Sequence, residues 1–424
     1  MTCSRRAPTL VPGHRPTRSE ATIYALTYVL RDYAWGSTTS IPQLLGLTPT
    51  GEPVAELWLG SHPDSPASIR AGAAQEPLDA WLGEHPEALG QDCRTRFGDT
   101  LPYLLKVLAA QTALSLQVHP TREQASQGYA AEEDAGVPRS ARHRRYKDPN
   151  HKPEMVVALT EFDALCGIRP VAETVVLLRA LAVDHPLARR LLATLDPTDE
   201  AGSLRAAFEL LLSSDEAPEA VSAAEKAATG YLDTHPDGAY GDIASTVLTL
   251  AESYPGDAGV LVALLLNRLT LAPGEALYLP AGNVHAYLRG TAVEVMATSD
   301  NVLRAGLTPK YVDVAELMSV VDFSTGPVPY VVSTGDATVR VYRPGAAEFE
   351  LAWVRLDGGA GELAGVLPGG PRIVLCLAGQ LRARTGEGSL ELAAGGAALV
   401  TAQEDGLTLT GAGLAVVVAV PAAD

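Results

Sequence analysis

The period of apolar and polar positions changes twice along the chain. From residue 23 to about 170, short runs of aromatic and β-branched residues are punctuated by Gly, Pro, Ser and Asp, as in YALTYVLRDYAWGST and PVAELWLGSHPDSPASI. This texture predicts strands and turns, with further strands at 101–108 (LPYLLKVL), 114–118, 155–159 and 164–168, and one short helix over 78–89. Between 171 and 269 the apolar residues recur at helical spacing (TVVLLRALAV, LARRLLATL, LRAAFELLL, ASTVLTLAESY), with Asp-Pro, Ser-Asp and Pro-Gly breaks, predicting a helical block. β texture resumes at 269 and, after the helix AELMSVV, continues to the C-terminus as short strands rich in Gly and Ala.

The chain therefore reads as mainly β with inserted helices. Residues 1–22 are polar, proline-containing and aperiodic, and predict a loose tail. One β unit is assembled from 23–170 and 256–325 around the helical insertion 171–255, and 326–424 form a second β unit. In the latter, LELAAGGAALVTAQEDGL resembles LTLAPGEALYLPAGNVHAY but has no histidine, and all nine histidines lie at or before His285. The second unit thus repeats the architecture without metal ligands, and a β-barrel or jelly roll occurring twice is the expected fold.

Composition narrows the function. A chain of 424 residues, 47% hydrophobic, has the volume for a real core and for more than one domain. Its 32 Lys and Arg against 50 Asp and Glu leave a net charge of −18, which disfavours nucleic acid and anionic membrane as partners. Any anionic substrate must find a local basic pocket. Cys3, Cys93, Cys166 and Cys376 are scattered without a CxxC pair, which argues against a disulfide framework or a thiolate metal site. With no apolar leader in the first twenty residues and no apolar run of about 20 residues, a reduced, cytoplasmic location is expected.

Chemistry concentrates around 271–310. The spacing of Gly274, Pro280, Gly282 and His285 predicts strand, tight turn and strand with one histidine. Two other segments supply further donors. In Ser115-Leu-Gln117-Val-His119 the polar residues alternate with apolar ones, so on a strand Ser115, Gln117 and His119 share a face. In YKDPNHKPEMVVAL, His151, Lys152 and Glu154 stand at the mouth of an apolar strand. Two imidazoles, one carboxylate and one amide make a mixed N/O set suited to a divalent metal such as zinc, leaving a net charge near +1 for Lewis-acid work. Each residue also has a plainer reading. His285 alone would more often be structural, Glu294 could simply be a strand glutamate, Asp300 and Asn301 could cap a turn, and Trp35 and Trp58 read as core or pocket wall. The basic run ARHRRYK (141–147) looks like a nucleic-acid patch in isolation, but the acidic remainder favours a solvated loop.

The sequence resembles the type I phosphomannose isomerases, zinc-dependent enzymes with cupin domains. The segments that carry the resemblance are YAWGS (33–37), ELWLGSHP (56–63), LPYLLKVLAA (101–110), SLQVHP (115–120), YKDPNHKPEM (146–155), PAGNVHAY (280–287) and EVMATSDNVLRAGLTPKYVDV (294–314). They run in order through most of 24–323. The resemblance implies a cupin, or jelly-roll, catalytic barrel with a degenerate C-terminal one, and interconversion of mannose 6-phosphate and fructose 6-phosphate. It implies one Zn2+ per chain held by Gln117, His119, Glu154 and His285, and a catalytic arginine at Arg304. The other pocket positions fall on Trp35, Glu56, Lys106, Ser115, Lys152, Tyr287, Glu294, Asp300 and Lys310. One departure is Arg289, where the second cupin motif often has Asn four residues after its histidine; no ligand depends on it.

The expected chemistry is metal-assisted proton transfer between C1 and C2 of an open-chain sugar through a cis-enediol, with Glu294 as base and Lys152 as its rival. A guanidinium stays protonated, so the fork of Arg304 suits an oxyanion or phosphate. Ser115, Lys106 and Lys310 are candidate phosphate holders. A small phosphosugar substrate and a monomer complete the expectation. A non-catalytic sugar-binding cupin is the alternative, against which Arg304, Lys310 and Glu294 count. A metal-dependent oxygenase is disfavoured because no third histidine sits at ligand spacing.

Overall fold

The computed structural model describes residues 22–363, 366–367, 370–404 and 406–423. The expected N-terminal tail lies outside them except for Thr22. That residue is part of the fold, its carbonyl accepting from the Thr401 amide at 2.9 Å and its hydroxyl donating to Glu404 Oε2 at 3.2 Å.

Two ten-stranded antiparallel sheets and one helical block make up the described residues. The first sheet runs in the order Leu266–Leu271, Phe162–Ile168, His285–Ala297, Tyr103–Ala110, Glu56–Leu59 and Val29–Arg31, with Glu154–Ala158 and Gln117–Val118 also pairing to His285–Ala297. The second is built on the long strands Glu350–Glu362, Arg372–Arg384 and Thr408–Ala419. Its far edge is made by N-terminal strands: Ile23–Thr27 pairs with Ala397–Val400, and Ser68–Ala71 and Ala74–Pro77 follow. Sequence proximity had grouped these three with the first β unit. Ile23 and Leu26 instead bury their side chains against the C-terminal strands, a choice that local periodicity cannot display.

Alternation along the strands decides which side chains enter the first sheet's interior. On Tyr103–Ala110, the residues Tyr103, Leu105, Val107 and Ala109 face the second sheet and pack with Trp353, Ile373, Leu375, Val416 and Val418. Lys106 and Leu108 face the opposite way. Met155, Val157, Val293 and Val295 likewise join the inter-sheet layer, leaving Glu154, Val156, Ala292 and Glu294 to the interior. That interior is apolar around Leu108, Val156, Phe162, Leu277 and Ala292 and charged around Lys106, Glu154 and Glu294.

The third wall is the helical block, Val171–Leu181, Pro186–Thr194, Glu200–Leu212, Ala217–Thr234, Gly241–Ser253 and Gly259–Val262. Its apolar faces share one core with Leu116, Val118, Leu165, Ala286 and Leu303 of the first sheet. No helix among the described residues is long and apolar enough to cross a membrane.

Several elements differ from the sequence pattern. The predicted helix over 78–89 is broken at His85 into Leu78–Glu84 and a 3-10 turn, Pro86–Leu89, because Pro86 cannot continue it. The helices Ser40–Leu44, Gln91–Phe97 and Arg122–Asp134 have too few buried apolar positions to show a period. The last of them is marked instead by a capping box, with Thr121 Oγ1 accepting from the Gln124 amide at 3.2 Å and Gln124 Oε1 from the Thr121 amide at 2.9 Å. The strand, turn and strand expected around His285 form, as Ala276–Leu279 and His285–Ala297, but the two strands do not pair with each other. Ala276–Leu279 pairs with Glu154–Ala158, whereas His285 stands opposite Cys166 on one side and Gln117 on the other.

A candidate metal and sugar-phosphate site

The strand His285–Ala297 organises the site by changing faces halfway. In its first half His285 and Tyr287 point to the interior while Ala286 and Leu288 pack on the helices; in its second half Ala292 and Glu294 point inward. His285 and Glu294 are an odd number of residues apart, so a regular strand would put them on opposite faces. A register shift between Tyr287 and Arg289 supplies the missing step. Gly290 follows at φ 120°, where a Cβ would come within 2.5 Å of the Glu161 carbonyl oxygen.

His119 and His285 converge on Glu154. His119 Nε2 lies 3.4 Å from Glu154 Oε1, and His285 Nε2 lies 3.5 Å from Glu154 Oε2. Each Nδ1 faces a backbone carbonyl, that of Asn301 at 2.8 Å and that of Asn283 at 3.1 Å. A carbonyl only accepts, so both Nδ1 atoms carry the proton and both Nε2 lone pairs turn toward the carboxylate. His119 Nε2 is fully buried without a hydrogen-bond partner. Burial, reinforced by Lys152 against the pull of Glu154, brings the His119 imidazole down to about 4. Burial pushes Glu154 up, but Lys152 and His119 outweigh it and hold the carboxyl well below the usual range.

This donor set fits a tetrahedral zinc. Ligands about 2.1 Å from such an ion lie roughly 3.4 Å from each other, close to the two separations at Glu154. Gln117 is directly opposite His285, and Arg304 directly opposite Gln117 on the next strand, so the three side chains form a row on one face. The donor atoms of His119, Glu154 and His285 all fall within 4.8 Å of one another.

Beside this trio is a second buried charge group. Lys106 stands directly opposite Glu294, with Nζ 3.1 Å from Glu294 Oε2 and 3.8 Å from Glu56 Oε1. The Tyr287 hydroxyl donates to Glu294 Oε1 at 2.8 Å, and Trp58 Nε1 to Glu56 Oε2 at 2.8 Å. Burial raises the Glu294 carboxyl above its ordinary value, and the Glu154 charge adds to it, against Lys106 and Lys152. The same burial and Glu294 push the Tyr287 phenol up, so it remains a donor. Lys152 Nζ sits 2.8 Å from Glu154 Oε1.

Residues 23–171 match the model of the phosphomannose isomerase type I catalytic domain. The mannose-6-phosphate isomerase of Escherichia coli K12 is 38% identical over 393 residues, covering 91% of this chain and 96% of that protein. The chain belongs to the type I phosphomannose isomerase family. The Homo sapiens mannose-6-phosphate isomerase is 32% identical over 392 residues, 86% of this chain and 89% of that one. Among solved structures, the Salmonella typhimurium mannose 6-phosphate isomerase bound to substrate and zinc superposes with a TM-score of 0.83 at 35% identity, covering 95% of this chain and all of that one. A holo form of mannose 6-phosphate isomerase with zinc bound gives 0.84.

The other residues expected in the pocket differ in burial and in partners. Arg304 is half-buried and Lys310 exposed, and no carboxylate pairs with either among the described residues. Burial lowers the Arg304 guanidinium, and burial with the Arg304 charge lowers Lys310. Ser115 and Trp35 are half-buried, and the Trp35 ring stacks on Tyr33 at 5.9 Å. Asp300 pairs with His62, whose Nε2 is 3.2 Å from its Oδ1. Asp300 and His62 line a cavity of about 470 Å³ with Arg122, Arg139, His151 and Glu348. His151 is not part of the metal trio; it pairs with Glu348.

The basic run at 141–147 is only partly solvated: Arg142 and His143 are exposed, but the rest is drawn into the fold. Arg144 is buried against Glu132 and Glu133 at 3.0 and 2.6 Å, and Arg145 joins Glu132 to Asp313 and Glu316. Asn301, read as a turn cap, is fully buried. Its Nδ2 donates to the carbonyls of Asp148 and Asn150 at 2.7 and 2.8 Å, and its Oδ1 accepts from the Lys147 amide at 2.7 Å.

Proposed function

We infer that this chain interconverts mannose 6-phosphate and fructose 6-phosphate by proton transfer between C1 and C2 through a cis-enediol. The observation that carries the reading is the unpartnered Nε2 of His119, converging with His285 on Glu154 beside the buried Glu294–Lys106 pair. In this reading Gln117, His119, Glu154 and His285 hold one zinc ion, which when bound supplies the Lewis acidity that makes the proton next to the carbonyl removable.

Glu294 is the base in this scheme. Its raised proton affinity makes it more basic than an ordinary carboxylate, the Lys106 ammonium keeps it ionised, and the Tyr287 hydroxyl fixes the orientation of its Oε1. Lys152, with its ammonium held by Glu154, suits proton donation to a sugar oxygen rather than abstraction. Arg304 and Lys310, cations without carboxylate partners, suit the phosphate. Trp35, Glu56, Ser115 and Asp300 complete the substrate pocket.

The same reading takes the first sheet (23–170 with 256–325) as a cupin barrel and 171–255 as the helical insertion. It takes 326–424 as a metal-free jelly roll, with the three N-terminal strands lent to its edge. The buried free thiols of Cys93, Cys166 and Cys376 agree with a reducing cytoplasm. The test is metal analysis joined to a coupled assay for fructose 6-phosphate formed from mannose 6-phosphate. Turnover should follow zinc occupancy; zinc-loaded protein without turnover would refute the isomerase.

A further inference from the structure

The C-terminal β unit carries no candidate metal cluster among the described residues, yet it sends one carboxylate against the two segments that carry candidate ligands. Glu348 lies on the loop leading into the strand Glu350–Glu362 and is only 3% exposed. Its Oε1 is 2.7 Å from Arg122 Nη2 and 2.7 Å from His151 Nε2, and these two side chains touch each other at 2.8 Å. Arg122 follows His119 by three residues, and His151 precedes Glu154 by three. A single carboxylate therefore fastens both segments that deliver candidate ligands, one just after its ligand and the other just before.

The loop that carries Glu348 is itself pinned. Arg96, from the helix Gln91–Phe97, donates to the carbonyls of Ala347 at 2.8 Å and Pro421 at 2.6 Å. Glu348 Oε2 has no hydrogen-bond partner, and the residue lines the cavity it shares with Asp300, His62 and Arg139. Burial pushes this carboxyl up, but His151 and Arg122 prevail and keep it below its ordinary value, so the clasp is ionic. A buried carboxylate kept ionised between two partners, one opening the helix Arg122–Asp134 and one in the loop before the strand Glu154–Ala158, is costly to leave unpaired, and its geometry holds both partners in fixed positions.

We propose that Glu348 is a positioning residue of the active site, through which the metal-free C-terminal unit sets His151 and Arg122, and with them the Lys152 and Glu154 segment, around the bound sugar. The proposal rests on the isomerase reading above, and it gives the C-terminal unit a catalytic consequence without a catalytic group. Displacement of reacting groups by about 1 Å can cost on the order of a hundredfold in rate.

The experiment is a double-mutant cycle in kcat/KM for mannose 6-phosphate with zinc-loaded wild type, Glu348→Ala, His151→Ala and the double variant, alongside zinc content and thermal midpoint. Glu348→Ala should lose about tenfold to a hundredfold in kcat/KM with full zinc content. The double variant should be little worse than His151→Ala alone, since both remove one clasp. Glu348→Gln, which keeps an acceptor oxygen for Arg122, should recover part of the loss and decides the matter if the alanine variant does not fold. Wild-type kcat/KM in Glu348→Gln and Glu348→Ala, or losses that multiply fully in the double variant, would overturn the proposal. An inactive zinc-loaded wild type would instead overturn the isomerase reading itself.

Discussion

The Tyr287 hydroxyl donates to Glu294 Oε1 at 2.8 Å, across the register shift that turns their shared strand. Tyr287 lies before the irregularity and Glu294 after it, so the hydrogen bond exists only because the strand changes faces between them. Lys106 occupies the other carboxylate oxygen at 3.1 Å. A carboxylate held this way has one orientation and a charge that its partner stabilises, while burial raises its proton affinity.

Replacing Glu294 with Gln should therefore preserve the packing and remove the proton acceptor. The expected loss in kcat is about 10²- to 10⁴-fold, with zinc content unchanged. In the wild type, activity needs the carboxylate, so kcat/KM should fall as acid protonates it, with the limb displaced above the ordinary carboxylate value because the shift is upward. Stopped-time assays of the two proteins across pH decide the point; an E294Q protein of near wild-type rate would transfer the role to Lys152.

Asn301 has a separate role. Its carbonyl receives the Nδ1 proton of His119 at 2.8 Å, and its side chain ties that carbonyl to the Lys147–Asn150 loop through three backbone groups. Partners that orient a ligating histidine are typically worth about 10- to 100-fold in metal affinity. Asn301→Ala is expected to weaken zinc binding by about that factor in a chelator competition, while Phe208→Ala, deep in the helical core, lowers the thermal midpoint without changing zinc affinity. Equal zinc affinity in N301A and wild type would contradict the assignment.

Much of this site was legible in the sequence because its residues sit in short local patterns. The Gln-x-His pair shares a face by strand alternation, Lys152 and Glu154 head an apolar strand, and His285 follows a glycine-proline turn. Other features depend on distant pairings that leave no local trace. The face of Glu294 depends on an irregularity at Tyr287–Arg289 that the alternation rule does not contain. Glu348 belongs to a stretch without chemical pattern, and only the docking of the two sheets brings it to His151. The N-terminal strands join the second sheet for the same reason: their apolar faces match either sheet, and the pairing is settled by tertiary burial.

Asp300 predicts an acid-dependent term in stability. Burial pushes its carboxyl up, but the hydrogen bond and charge of His62, with Lys152 and Arg139, hold it down at about 2, against an ordinary 3.8. A carboxyl depressed in the folded state stabilises the fold above its unfolded value and loses that contribution as pH falls toward the folded one. The plateau is roughly 2 kcal/mol above pH 5, falling to about half by pH 3. Urea unfolding of wild type and Asp300→Asn should show that gap narrowing from pH 6 to pH 3. A gap that stays constant across the range would show that the charge on Asp300 is not its source.

Arg304 stands directly opposite Gln117, which stands directly opposite His285, so its guanidinium belongs to the row that begins at the metal trio. Adjacent strands are about 4.8 Å apart, which places Arg304 two strands, or roughly 10 Å, from His285. That span suits a sugar phosphate with its carbonyl end at the metal and its phosphate at the cations. Losing a charge-assisted hydrogen bond costs about 1.5–3 kcal/mol, so Arg304→Ala should raise KM for mannose 6-phosphate by about tenfold or more, and inhibition by inorganic phosphate should weaken in parallel. Arg304→Lys keeps the charge without the planar fork and should recover only part of either effect. If Arg304→Ala lowered kcat alone and left phosphate inhibition intact, the guanidinium would have to act at the reacting carbons instead of the phosphate.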